Sequence, residues 1–117
     1  MIIIIPLLLV ILSAICKAIA DTITHHYSTS IFKNKKSAFW ISDGSAKYKN
    51  GDSSQGRKHP AMFDGFSDAW HIFNNSAFYL LIVAIGFGIN INFWIAVPAG
   101  IIIHMEVFNL FYDKVLR

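Results

Sequence analysis

The chain has 117 residues, enough for one domain. Hydrophobic residues make up 55% of it and aromatic residues 15%, against a formal charge of only +3. A soluble domain of this size needs more polar surface than that, so the composition points to lipid. The single cysteine, Cys16, excludes an internal disulfide and, in its apolar stretch, reads as a small packing residue.

Residues 2–16 carry no charge, and continued to Ala20 they reach the roughly 20 apolar residues that a spanning helix needs. Helix 1 is predicted over about residues 2–31. Pro6 falls in its first turns, where a missing N–H matters least. Ala18-Ile19-Ala20 resembles a signal cleavage site, but no basic region precedes the apolar run and Lys17 adjoins the would-be cut, so the segment reads as a retained anchor. From Lys17 to Ser28 the pattern becomes amphipathic. The helix is therefore predicted to leave the hydrocarbon near Asp21 and continue in the interface.

Residues 33–62 read as a basic loop. Lys33, Lys35, Lys36, Lys47, Lys49, Arg57 and Lys58 stand there against Asp43 and Asp52. Gly44, Gly51, Gly56 and Pro60 punctuate it, and Asn50-Gly51 predicts a tight turn. Phe39 and Trp40 are the apolar exceptions, suited to headgroup depth. The three lysines after helix 1 suit anionic headgroups, which makes membrane lipids the expected partner and nucleic acid a poor one.

The uncharged run 76–103 is too long for one span and too short for two. Two spans borrow residues from near Gly65 and up to near Asp113. Helix 2 is predicted over about 63–87 and helix 3 over about 93–115, with Pro98 a kink site. Two glycines and two asparagines between Gly86 and Asn92 predict the intervening turn. A re-entrant hairpin is the alternative to two full spans. Trp70 and Trp94 read as interfacial anchors.

The fold class expected is all-α: a small integral membrane protein with three membrane-associated helices and a basic cytoplasmic loop. The positive-inside rule places loop 33–62 and the C-terminus, with Lys114 and Arg117, in the cytoplasm. Three spans put both basic segments on one side; two would separate them.

Ionisable residues near a membrane are costly, so they mark pairs or sites. At about 100° per residue, Lys17, Asp21, Thr24, His25 and Ser28 share one side of helix 1. Asp64, Asp68, His71 and Asn75 share a face of helix 2, and Glu106, Asn109 and Asp113 share one of helix 3. His71 lies 19 residues before Asn90 and Asn109 lies 19 after it, so the three faces are predicted to converge at one depth near the inner interface. His104 is about 160° from Glu106 and is predicted to point elsewhere, with Phe108 and Phe111, as a hydrogen-bonded histidine at a helix contact or one snorkelling to headgroups.

The convergence suggests a metal site of Asp21, His25, Asp68, His71 and Glu106. Asp and His one turn apart on facing helices resemble the way helical bundles hold metals, and zinc, iron or manganese tolerates such ligands. A bound metal could activate water against a lipid or phosphate ester. The competing account is a network of hydrogen bonds and ion pairs, with Lys17 on Asp21 and with Asp68 orienting His25 or His71. From a different class comes a non-enzymatic membrane component: an oligomeric pore, a holin-like protein, or a subunit of a larger assembly.

Three segments also carry a resemblance: His25 to Phe32; Tyr48-Lys-Asn-Gly-Asp52 with Gln55-Gly-Arg-Lys58; and Asp68-Ala-Trp-His71. Over about residues 15–75 the chain resembles a group of small uncharacterised membrane proteins of Bacteroidota and their phages. The resemblance implies a bacterial or phage origin and an inner-membrane location, and it assigns no catalytic or binding residue.

Overall fold

The computed structural model describes residues 3–35, 39–40, 45–88 and 92–117. Three α-helices dominate: α1 (Ile4–His25), α2 (Ala69–Gly88) and α3 (Phe93–Leu110), the last continued by one π-helical stretch to Val115. Among the described residues there is no β-strand, only one isolated bridge between Tyr48 and Arg57. All three helices are long and apolar enough to cross a membrane. A backbone in hydrocarbon must satisfy its polar groups internally, which a helix does and an open chain does not. At 1.5 Å per residue, the 22 residues of α1 span about 33 Å, close to the thickness of a bilayer core.

α1 is the spine. It packs most extensively on α2 and less so on α3. Hydrogen bonds fix the registers. Ser13 meets Ala77 and Lys17 meets Asn74, so α1 and α2 run antiparallel. Ser13 meets His104 and His26 meets Arg117, both pairs 91 residues apart, so α1 and α3 run parallel. Where α1 meets its neighbours the residues are small: Ser13, Ala14, Ala18, Ala20, Ala69 and Ala77 are all buried. Small side chains let helix backbones approach closely, the main source of helix association in lipid.

The larger apolar cluster lies at the loop end. Ile23, Phe32 and Leu116 are buried there with Ala18 and Ala69, and Trp40, Trp70, Phe73, Phe108 and Tyr112 pack around them. Trp40 stacks on Phe32, and the Phe39 carbonyl accepts the Ala69 N–H at 2.7 Å. Phe39 and Trp40 thus pin the loop to the bundle, a role their expected headgroup placement did not include. Trp70 likewise packs into this cluster, whereas Trp94 is 83% exposed at the opposite end.

Two helix boundaries differ from expectation. Helix 1 ends at His25, not near residue 31, because His26 leaves helical geometry at φ −131° and ψ 21°. Hydroxyls then compete for the backbone: Thr29 Oγ1 donates to the His26 carbonyl and Ser30 Oγ to that of Tyr27. Helix 2 begins at Ala69, not near residue 63, and a 3-10 turn occupies Ala61–Phe66. Asp64 is drawn away by Arg57, so the next acidic residue, Asp68, caps the helix. The Asn50-Gly51 turn forms as expected, with φ 51° and 73°. Lys36, Asp43 and Gly44 of the basic loop, and residues 89–91 of the expected turn, lie outside the described residues.

Candidate functional site

Among the described residues Asp68 is the most deeply placed charged one, 1% exposed. Its Oδ1 accepts the His71 backbone N–H at 2.9 Å, and the Asp68 carbonyl accepts the Ile72 N–H at 3.1 Å, which together define an N-cap. Its Oδ2 lies 2.8 Å from His71 Nδ1 and accepts Ser67 Oγ at 3.4 Å. One carboxylate therefore starts α2 and fixes an imidazole ring. The carboxylate oxygen accepts from Nδ1, and Nε2 of the half-exposed His71 has no hydrogen-bond partner among the described residues. Asn75, one turn further, donates to the Gly65 carbonyl at 3.1 Å and ties the preceding turn to the helix.

On α1, Lys17 Nζ donates to Asp21 at 2.6 Å and to Asn74 of α2 at 3.4 Å. This ion pair and the Asp68–His71 couple match the network reading of those residues. The other expected members stand apart. His25 and Glu106 are both exposed, and Glu106 has no partner among the described residues. Among those residues no three His, Cys, Asp or Glu side chains lie close enough together to hold a metal ion. The five residues predicted to converge thus divide into Asp68 with His71, Asp21 with Lys17, and two exposed side chains.

The side of α3 that turns inward is the reason. Ala96, Gly100, Ile103, His104, Val107 and Phe108 are its half-buried residues, spaced as one helical face. His104 Nε2 lies 3.4 Å from Ser13 Oγ, which itself donates to the Ala77 carbonyl at 2.7 Å. Ser13 thus joins all three helices within the apolar layer. His104 is the hydrogen-bonded histidine at a helix contact, and Glu106, nearly opposite on the helix, faces outward. The sequence held a signal for this knot: Ser13 is the sole polar residue of the 2–16 run, and His104 stands alone in a long apolar one.

The loop end carries further charge. Arg57 donates to both oxygens of Asp64, and this hydrogen bonding holds the Asp64 carboxyl below its ordinary range. Asp52 caps its own turn, and hydrogen bonds from Ser54 and then Gln55 lower its pKa. Arg117 reaches His26, Asp113 and the Tyr112 ring. Desolvation first, then the Arg117 charge, lower the His26 pKa. Exposed Met62, Phe63 and Phe66 follow Arg57 and Lys58 closely in the chain.

Fold and site together define a small all-α multi-pass membrane protein. Comparison with protein-family models, curated proteins and solved structures gives no match for the chain.

Proposed function

We propose that the chain is a non-enzymatic protomer of a membrane assembly, oligomeric in lipid, of the pore-forming or holin-like kind. One observation carries this reading: no residue of α3 is buried, although the helix bears Glu106 and Asn109 on its outer surface. In a bilayer that surface would meet acyl chains. Glu106 lies 13 residues from Phe93 and nine from Val115, about 20 Å and 14 Å along the axis. A carboxyl group at that depth is costly to leave against hydrocarbon, on the order of 3 kcal/mol if ionised. A further helix would remove the cost. The basic loop and C-terminus favour an orientation with both in the cytoplasm of a bacterial host, where Met62, Phe63 and Phe66 would enter the headgroup layer beside Arg57 and Lys58. The test is native mass spectrometry of the protein extracted with its lipids in nanodiscs. A defined multimer supports the reading; a strict monomer that conducts no ions contradicts it.

The Asp68–His71 couple favours a second reading, in which a divalent transition metal or a bound ester is handled at the loop end. A carboxylate on one ring nitrogen is the usual support for a histidine that binds metal through the other. Two buried hydroxyls there, Thr22 Oγ1 and the Tyr27 hydroxyl, have no partner among the described residues. Elemental analysis of purified protein decides: stoichiometric zinc, iron or manganese that His71→Ala removes supports it, and metal-free protein unaffected by chelator counts against it.

A further inference from the structure

We propose that the outer face of α3 is a self-association seam, and that its occupant is the same face of a second copy. This rests on the reading of α3 as a contact surface and names what covers it.

Ile95, Ala99, Ile102, Glu106, Asn109 and Asp113 recur at alternating steps of four and three residues. That spacing keeps a straight stripe along a helix and is the repeat of left-handed helix pairs. All six are exposed. The half-buried stripe through Gly100, His104, Val107 and Phe111 lies on the other side and is already used by α1. α3 thus has two stripes, one occupied and one bare.

The bare stripe is suited to its own copy. Copies inserted in the same orientation hold identical residues at identical depths, so a parallel pair of α3 helices sets Glu106 and Asn109 beside their counterparts. An asparagine amide both donates and accepts, so it pairs with itself. It also stands one turn from Glu106, so each amide can donate to the carboxyl group of the neighbouring copy. Ala99 is small enough for close approach on the other side of Ile102. Interhelical bonds of this kind hold membrane helices together. The competing seat is the open groove of about 380 Å³ between α1 and α2, lined by Cys16, Ser76, Tyr79, Leu80 and Val83. Its polar atoms are hydroxyls and one thiol, with no amide or charge to match Asn109 and Glu106.

Cysteine cross-linking in native membranes tests this, because Cys16 is the only cysteine. In a Cys16→Ala background, single substitutions Ile102→Cys and Asn109→Cys are expected to give disulfide-linked dimers on mild oxidation, whereas Val97→Cys and Ile101→Cys give none. Asn109→Leu in the otherwise natural chain is expected to weaken association roughly three- to fifteen-fold. Equal cross-linking at all four positions, or none at any, overturns the seam. Dimers that form only when Cys16 is retained overturn it in favour of the groove. A multimer by mass without seam cross-links removes this inference alone; a monomer by mass removes the assembly reading as well.

Discussion

The α1–α2 contact and the outer face of α3 are built from similar residues and end in opposite states. In the first, alanines and Ser13 are buried, and Lys17, Asn74 and Ser13 all find partners across the contact. In the second, isoleucines, Ala99, Glu106 and Asn109 are exposed, and Glu106 and Asn109 have no partner among the described residues. Small residues with a few polar ones are therefore no guarantee of burial within the chain. The α1–α2 face is completed by the fold; the proposed assembly would complete the α3 face by association. Water would tolerate the second state; hydrocarbon does not.

Substitutions that separate the two faces test this contrast. The largest effect is expected where polar satisfaction is internal. Asp68→Ala removes the cap of α2 and strands the His71 N–H, and should lower unfolding free energy in detergent by about 2–3 kcal/mol. Asp68→Asn keeps a capping oxygen and should recover part of that loss, so equal losses for both would mean the cap is not the source. Next come paired enlargements. Ala18→Leu, at a position with no exposure, should destabilise the monomer by about 1–3 kcal/mol through overpacking. Ala99→Leu on the bare stripe should stay within about 0.5 kcal/mol for the monomer while weakening association. If both destabilise the monomer alike, the two faces are not different. Ser13→Ala should cost about 0.5–1.5 kcal/mol by removing its bond to the Ala77 carbonyl, measured by the same unfolding titration.

The smallest effect concerns the C-terminal tie at the loop end. The Leu116 carbonyl accepts the Ile31 N–H at 2.9 Å, and Arg117 donates to His26. The His26 pKa is lowered in the folded protein, chiefly by desolvation and then by Arg117. The neutral ring is therefore the one the fold prefers. Its contribution is present above the ordinary imidazole value of 6.5 and is lost as pH falls through the lowered one. Hydrogen-exchange protection of the Ile31 amide should fall modestly over that range, and His26→Gln should abolish the dependence. A pH-independent protection factor in the natural chain would contradict the tie.

Much of the architecture was legible in the sequence, because hydrophobic length alone marks spans. The 2–20 and 65–113 stretches became three helices, and Asn50-Gly51 became a turn. The ends of helices were less legible. Hydroxyls at Thr29 and Ser30 and the Arg57–Asp64 pair decided them, and each acts through a geometry that periodicity does not contain. The helical period correctly separated His104 from Glu106. It did not say which of the two faces inward, because that depends on Ser13, a polar atom on another helix at matching depth. Polarity drew the expected site toward Glu106, while packing drew the bundle toward Gly100 and His104. The Asp68–His71 couple was visible as a motif; its role as a helix cap followed from where α2 begins.

Oxygen accessibility of spin labels in lipid vesicles tests the central claim, that the outer face of α3 is covered in the membrane. In the Cys16→Ala background, a label at Ile102→Cys should be shielded from oxygen dissolved in the bilayer, while a label at Ile101→Cys, one step around the helix, should be freely accessible. Equal, high accessibility at both positions would show α3 bathed in lipid on every outward side and would contradict the account.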